Sequence, residues 1–356
     1  MSKFILWSAR RFGRFGVLIF VIPSYGIVFL WLPLLDIHLG WFFGLALFMI
    51  PLFGLATALL LGTLLAGQRK FKGKGLSKSD APGLWKAWEE IAGPKIARRT
   101  VMLLSGELNA GLATQRRFYG LLGNRTILVV GIPLLAITDM ASLRAILAHE
   151  NAHLHFKDVN GGLRLAEFER SVEFVFEYAP PDQTISGMVL HAALGWLSGP
   201  LAKEEIRLSR EAEYRADRFA ADAGQKEEVA RFLALISAAA LMLDEEVHQK
   251  IDIEMMGAMT PPRPPLERII ETARRLSDPD VIQRYGAKAW AEEDRPESDH
   301  PSVALRLNAL GYDRFPEIEP VIRSAIYEVI EKSFLQEAVA DLDRNWTNTA
   351  IEWIQG

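Results

Sequence analysis

Uncharged, apolar residues dominate the start of the chain in two long runs. Residues 15–35 and 37–67 contain no Lys, Arg, Asp or Glu, and each reaches the roughly 20 residues that an apolar helix needs to cross a bilayer. Trp31 and Trp41 flank the short connection between the runs, as aromatic residues do at membrane interfaces. The pattern predicts a basic flank and a transmembrane helical hairpin over residues 1–67. A cleaved signal peptide is the alternative, but the runs are longer than a signal core and no Ala-x-Ala site follows.

Basic residues cluster on both sides of this predicted hairpin. Four precede the first run, five follow the second, and the connection holds a single acid: Lys3, Arg10, Arg11 and Arg14; Arg69, Lys70, Lys72, Lys74 and Lys78; Asp36. The positive-inside rule therefore places both flanks, and the chain beyond residue 68, in the cytoplasm. Because the whole chain carries −4, residues 79–356 carry −12. So acidic a domain disfavours nucleic acid as a partner.

Beyond a basic linker at 68–83, the polar and apolar positions predict a strand followed by an amphipathic helix. Residues 126–130 are β-branched and apolar, which is typical of a strand. Thr138 or Asp139 is a candidate N-cap for the helix, and Gly161–Gly162 is its expected end. The apolar stripe of this helix recurs at helical spacing and consists of Leu143, Ile146, Leu147 and Leu154.

Candidate chemistry lies on this predicted helix. Residues 149–153 read His-Glu-Asn-Ala-His, so His149 and His153 fall one turn apart on one face and can bind the same metal ion. The chain has no cysteine, which leaves only His and carboxylate ligands. Zinc in such a site keeps a position open for water, and Glu150 can take a proton from that water.

A third protein ligand is expected downstream, in the segment 209–217. Glu213 and Asp217 are spaced i, i+4 and share one helix face, so Glu213 can bind the metal while Asp217 hydrogen-bonds a ligand. The spacing alone fits equally well an exposed helix rich in ion pairs. A third uncharged stretch at 183–202 is not read as a single span, because it would separate these residues from the histidines. We expect a buried or membrane-grazing helix there.

The motifs together resemble the membrane-bound gluzincins of the HtpX-like and CAAX prenyl-protease family. The resemblance covers roughly residues 80–310, and the pairing of its first two features is fairly specific. It rests on five features: the His-Glu-x-x-His motif at 149–153, the Ser-Arg-x-x-Glu-Tyr-x-Ala-Asp pattern at 209–217, Asn109-Ala110, Asp158, and the His-Pro segment at 298–302 followed by Arg306.

This resemblance implies roles for individual residues. It implies one Zn²⁺ bound by His149, His153 and Glu213, with Glu150 as the catalytic general base. Asp217 and Asp158 would support the ligands. His300 would lie near the metal, where it stabilises the oxyanion or gates access, although an ordinary loop residue is the alternative. Gly111 stands where the family commonly has a larger residue, so the substrate-side wall is expected to differ.

The implied protein is a membrane-anchored zinc endopeptidase that cleaves unfolded or membrane-proximal polypeptides. Its expected fold is α+β and mostly helical: a zincin-type domain with a small β-sheet, preceded by the transmembrane hairpin. We place this protease domain at 84–316 and a C-terminal helical segment at 317–356. Analogy with the family suggests a bacterial inner membrane. An extended substrate would pair with the edge of the small sheet.

Two other functions remain open on the sequence alone. One is an inactive, membrane-anchored adaptor that retains a vestigial site. The other is a di-iron carboxylate protein, because the chain holds two Glu-x-x-His pairs, Glu150–His153 and Glu245–His248. That alternative leaves His149 without a purpose. Metal content separates the two, since iron supports the di-iron protein and absence of metal supports the adaptor.

Overall fold

The computed structural model describes residues 2–65, 75–116, 123–156, 158–178 and 180–355. These residues are mostly helical, with one small sheet, as the sequence predicts. The chain divides into two compact units, Met1–Phe71 with Lys157–Leu208, and Lys72–Phe156 with Ser209–Gly356. The predicted domain boundaries stay a prediction.

The described residues of the first unit form helices and their connections, with no strand among them. Its elements are α1 (Ser2–Phe12), a 3₁₀ turn (Gly13–Val17), α2 (Leu18–Trp31), α3 (Leu34–Ile37), α4 (Leu39–Leu65), α9 (Asp158–Tyr178) and the start of α10 (Ile185–Ala220). Two helical stretches, Phe4–Ile37 and Leu39–Leu64, are long and apolar enough to cross a membrane. Only 22% and 11% of the residues in their most apolar windows are buried, so they are not covered like core helices. The prediction of two apolar N-terminal helices is confirmed.

Polar and aromatic contacts hold α2 and α4 side by side. The Tyr25 and Thr57 hydroxyls lie 3.0 Å apart between the two helices. At the connection, the Trp31 ring stacks on Phe42 with centroids 4.3 Å apart, and its Nε1 donates to the Phe42 carbonyl oxygen at 3.1 Å. In an apolar environment such paired groups fix the register of two helices, because leaving them unpaired is costly.

Helix α9 shows where a predicted helix boundary is wrong. The helix that begins after Asp139 ends at His155, and Gly161–Gly162 lie inside α9 rather than at a helix end. Each interior glycine costs about 1 kcal/mol of helix stability. The following stripe of Leu165, Phe168 and Val172 is buried in the core of this unit, and that burial outweighs the cost.

Residues 185–202 of the predicted stretch lie in α10, a helix of 36 residues. Ile185 and Met188 are 60% and 56% exposed, so of the two alternatives the buried helix does not hold for these side chains, and the membrane-grazing helix stays a prediction. The stretch continues without interruption into the Glu213 segment, since no proline or glycine pair separates them after Pro200.

The second unit is built around a three-stranded sheet of order β1-β3-β2. Strand β3 (Asn124–Gly131) is central and contains the predicted strand at 126–130. It pairs in parallel with β1 (Thr100–Ser105) and antiparallel with β2 (Ala110–Arg116). Asn109-Ala110 therefore lies at the start of an edge strand, and Ala110 pairs with Val130.

Helices cover this sheet and complete the unit. They are α5 (Pro82–Ala92), α6 (Pro94–Ala97), α7 (Ile132–Ile137), α8 (Met140–His155), the end of α10, α11 (Lys226–Leu243), α12 (Gln249–Met255), α13 (Pro265–Ala273), α14 (Pro279–Ala291), α15 (Val303–Ala309), α16 (Ile326–Val329) and α17 (Lys332–Gln355). The indole of Trp88 is fully buried, and its Nε1 donates to Thr100 Oγ1 at 3.0 Å, which fixes α5 to β1.

Helix α8 is held at its N-terminus. Asp139 is the N-cap and accepts from the Ser142 backbone N–H at 3.0 Å. Arg231 on α11 donates to both Asp139 carboxylate oxygens, at 2.9 and 2.6 Å. The predicted stripe is buried except for Leu154, which is partly buried, so α8 is fixed by its cap and by its apolar face.

The C-terminal segment is helical only in part. Residues 317–325 form no helix, in agreement with Pro316 and Pro320, which interrupt helical hydrogen bonding there. Within the second unit, this segment contacts the chain directly before α8, where the Ala325 backbone N–H donates to the Thr138 carbonyl oxygen at 2.7 Å.

Candidate metal centre

Two helices bring three of the sequence-predicted ligands together. His149 and His153 lie on α8 and Glu213 lies on α10, and one donor atom of each lies within 4.8 Å of the others. His149 Nε2 is 3.6 Å from Glu213 Oε2, and His153 Nε2 is 3.6 Å from Glu213 Oε1. The two imidazole rings are nearly perpendicular, at 85°. Both histidines therefore present Nε2 to the same carboxylate.

The spacing of these donors fits one metal ion. Ligand distances of about 2.0–2.1 Å in a tetrahedral site place donor atoms about 3.3 Å apart. The observed 3.6 Å separations are close to that value, and a small inward movement of the side chains would complete the site. Two nitrogens and one oxygen, with no sulfur, form a donor set that zinc commonly takes. Among the residues that the structure describes, this is the one group identified as able to hold a metal.

Glu150 occupies the position after His149 on α8 and is buried, with 8% of its surface exposed. Burial raises the pKa of the Glu150 carboxyl above its ordinary value, because the charged form loses its hydration. The neighbouring histidines act in the opposite direction but do not cancel the effect. A carboxyl with a raised pKa is suited to accept and return a proton near neutral pH.

Asp217 lies one turn after Glu213 on α10 and contacts both a histidine and an arginine. Its side chain is 3% exposed, and Oδ1 lies 2.9 Å from Nδ1 of His149. The guanidinium of Arg306 donates to both of its oxygens, Nε at 2.8 Å and Nη2 at 2.6 Å. A carboxylate behind a histidine fixes the orientation of the ring and makes the opposite nitrogen a better ligand. The predicted i, i+4 relation thus puts both carboxylates at the cluster.

Arg306 is a site residue whose role the sequence did not reveal. Arg306 lies on α15, and its side chain is 13% exposed. Its Nη1 lies 3.1 Å from Glu213 Oε2, in addition to the two hydrogen bonds that the guanidinium donates to Asp217. One buried cation therefore balances two buried carboxylates, which would otherwise repel each other. The available signal was electrostatic: two acids on one buried helix face require a cation nearby.

These contacts shift the proton affinities of the cluster. For His149, burial favours the neutral ring, but Asp217 and Glu213 outweigh it and raise its pKa to about 9. For Glu213, burial alone would raise the pKa, but His149, His300 and Arg306 hold the pKa of this carboxyl far below its ordinary value. Glu213 is therefore an ionised carboxylate, the form that binds metal.

His300 lies at the edge of the cluster. Its Nδ1 is 3.4 Å from Glu213 Oε1, while 58% of its side chain is exposed. The structure thus places His300 beside Glu213, and its role near a metal ion stays a prediction. Asp158 is the first residue of α9, and its side chain lies outside the described part of the structure.

The second Glu-x-x-His pair lies elsewhere in the described structure. Glu245 and His248 lie in a π-helical turn after α11, where Glu245 pairs with exposed Lys288 at 2.6 Å. Neither residue belongs to the group that could hold a metal. The geometry therefore gives no support to a di-iron site formed by the two pairs.

Comparisons with known proteins agree with this site. Residues 108–313, more than half of the chain, match the model of peptidase family M48. No curated protein matches. Among solved structures, the crystal structure of S. mikatae Ste24p is similar with a TM-score of 0.37 and 17% identity, covering 83% of this chain and 64% of that chain. This chain therefore spans less than two thirds of that protein's length, and the likeness is too slight to carry an argument. The family match spans all the residues of the cluster, from the edge strand to Arg306, and on this ground the chain belongs to peptidase family M48.

Proposed function

We propose that this protein is a membrane-anchored zinc endopeptidase with His149, His153 and Glu213 as metal ligands. The observation that carries the proposal is the convergence of their three donor atoms beside buried Glu150. A zinc ion held there supplies Lewis acidity that polarises a peptide carbonyl and lowers the pKa of a water molecule. Membership of a peptidase family supports hydrolysis of peptide bonds as the reaction.

Within this proposal, Glu150 moves the proton. Its carboxylate accepts a proton from the attacking water and returns it to the nitrogen of the departing amine. The raised pKa of Glu150 suits both transfers. Asp217 and Arg306 hold His149 and Glu213 in their orientations throughout. His300, beside Glu213, is placed to donate a hydrogen bond to developing negative charge on the carbonyl oxygen.

An extended polypeptide is the substrate that we infer, bound along strand β2. This strand packs beside α8, which carries the histidines, and it forms one edge of the sheet. Among the described residues, β2 is paired on one side only, with β3. A substrate segment can add there through main-chain hydrogen bonds, which requires that the segment be unfolded or extended. Such binding supports cleavage of unfolded or membrane-proximal proteins.

The membrane placement is part of the same proposal. The two apolar helices are the proposed anchor in the bilayer, and the basic flanks orient the protease domain, at 84–316, to the cytoplasm of a bacterial inner membrane. The acidic charge of residues 79–356 supports a polypeptide rather than a nucleic acid as partner. An inactive adaptor is the second candidate, and the complete donor set beside Glu150 is the observation that disfavours it.

The decisive experiment compares cleavage of an unfolded fluorogenic protein by the detergent-purified, zinc-loaded chain and by its Glu150→Gln variant. Gln keeps the size of the side chain but cannot accept the proton, so we expect cleavage by the parent alone, with equal zinc content in both. Equal cleavage by both would refute Glu150 as the base. No cleavage by either chain would point to a latent enzyme or, if zinc is also absent, to the inactive adaptor.

A further inference from the structure

The segment that carries His300 has no regular secondary structure of its own. Residues 292–302 connect α14 to α15 without helix or strand, and His300 and Asp299 have side chains that are 58% and 66% exposed. His300 touches the cluster through one contact of 3.4 Å with Glu213. A side chain so exposed gains little from packing, so its position depends on what holds the backbone of the segment.

Arg210 contacts that backbone from helix α10. Its side chain is 16% exposed, and Nη2 donates to Asp294 Oδ2 at 2.7 Å. Its Nη1 lies 3.3 Å from each of three carbonyl oxygens of the segment, those of Arg295, Ser298 and His300. One planar guanidinium therefore contacts the segment both before His300, at Asp294 and Arg295, and at His300 itself.

Asp294 extends this contact to the next helix. Its second oxygen, Oδ1, accepts from the Ser302 backbone N–H at 2.9 Å. Ser302 is the N-cap of α15, the helix that carries Arg306. Arg210 and Asp294 thus fix the segment at residues on either side of His300.

The helical position of Arg210 links this contact to the metal centre. Arg210 precedes Glu213 by three residues and Asp217 by seven, so all three lie on one face of α10. The same helix face therefore supplies the proposed metal ligand, the partner of Arg306, and the group that holds the His300 segment.

We propose that Arg210 is a positioning residue, which acts by clasping segment 294–302 so that His300 stays beside Glu213. This rests on the proposed function, in which His300 acts on the substrate carbonyl. The clasp needs the fork of an arginine, since a lysine ammonium is a single point charge and cannot span Asp294 and three carbonyl oxygens. Arg210→Lys is therefore expected to fail almost as Arg210→Ala does.

The first test measures the segment directly. The chain has no cysteine, so Asp299→Cys in the full chain provides a unique site for a nitroxide spin label. We expect Arg210→Ala, Arg210→Lys and Asp294→Ala to sharpen the EPR spectrum of the label. Arg207→Ala is the matched control, because Arg207 lies one turn earlier on α10 and pairs with Glu204 at 2.7 Å instead of with the segment. An EPR spectrum that is unchanged in Arg210→Ala, Arg210→Lys and Asp294→Ala would overturn the proposal.

The second test asks whether Arg210 acts through His300. With zinc content verified, we expect Arg210→Ala and His300→Ala each to lower kcat about 10- to 100-fold, the scale of a misplaced catalytic group. KM should change less, and the double variant should be no slower than the slower single variant. Multiplying effects in the double variant would overturn the route through His300.

The two tests separate this proposal from the proposed function. The spin label needs no catalysis, so a chain that cleaves nothing and yet shows the sharpened spectrum would count against peptidase activity and leave the clasp supported. A chain that cleaves normally in every clasp variant would retain its function and refute the positioning role.

Discussion

Replacing Asp217 by Asn tests the arrangement behind the metal centre. Asp217 is almost fully buried, accepts both guanidinium bonds of Arg306, and contacts Nδ1 of His149. Asn keeps the shape but removes the charge, so His149 loses the anion that orients it and Arg306 keeps only Glu213. Removal of a carboxylate behind a histidine ligand weakens metal binding about 10- to 100-fold.

That loss corresponds to about 1.4–2.7 kcal/mol of binding free energy. At excess zinc, the stabilisation of the folded chain by zinc should fall by the same amount, because it varies with the logarithm of the affinity. The metal-free variant should also lose stability, up to about 3–5 kcal/mol, since one partner of a buried ion pair is gone. Zinc affinity is measured by competition with a chromophoric chelator, and stability by thermal unfolding with and without zinc.

Asp343→Asn provides the control for this measurement. Asp343 is also a buried aspartate, but it accepts hydrogen bonds from the backbone N–H groups of Leu266 and Glu267 at the start of α13. Its replacement should lower stability and leave zinc affinity unchanged. If Asp217→Asn binds zinc as tightly as the parent, or if both variants lose affinity equally, the role given to Asp217 is wrong.

Two further outcomes follow from the structure. The pKa of His149 is about 9 in the metal-free folded chain against 6.5 ordinarily, so its contribution to stability is present below pH 6.5 and lost as the pH rises through 9. Thermal scans of the metal-free chain should show the melting temperature falling across that window, while zinc affinity rises because zinc displaces the proton; a flat profile would contradict this. At Gly131, a Cβ would lie 1.7 Å from the Glu107 carbonyl oxygen. Gly131→Ala should therefore lower the melting temperature and the zinc affinity together, whereas Gly111→Ala, where a Cβ meets nothing within 4 Å, should change neither.

Local spacing was sufficient to predict which residues of the candidate site share a helix face, whereas the role of Glu213 as a ligand came from the family resemblance. One turn of helix separates His149 from His153 and Glu213 from Asp217, so each pair shares a face whatever the rest of the chain does. The N-cap prediction, Thr138 or Asp139, was equally local, and the structure has Asp139. Features of this kind depend on residues three or four apart, and the structure agrees with them.

The two arginines of the site could not be read in this way. Arg306 meets Asp217 across 89 residues, and Arg210 meets Asp294 across 84. No periodicity along the sequence links such positions, because the contact depends on how separate helices pack. The glycines at 161–162 show that a local preference can also mislead. The low helix propensity of glycine predicted a helix end there, but burial of the apolar residues that follow keeps the helix intact.

The hydrogen bond from Ala325 to the Thr138 carbonyl has a consequence for the size of the folding unit. The family match ends at residue 313, yet Ala325 and Ser324 hold the chain just before α8, through the carbonyls of Thr138 and Leu135. Ile326 and Val329 are fully buried in the same core. The part of the chain that matches the family model is therefore shorter than the part whose contacts hold the start of α8, and Ala325, Ile326 and Val329 belong to the same core as that helix.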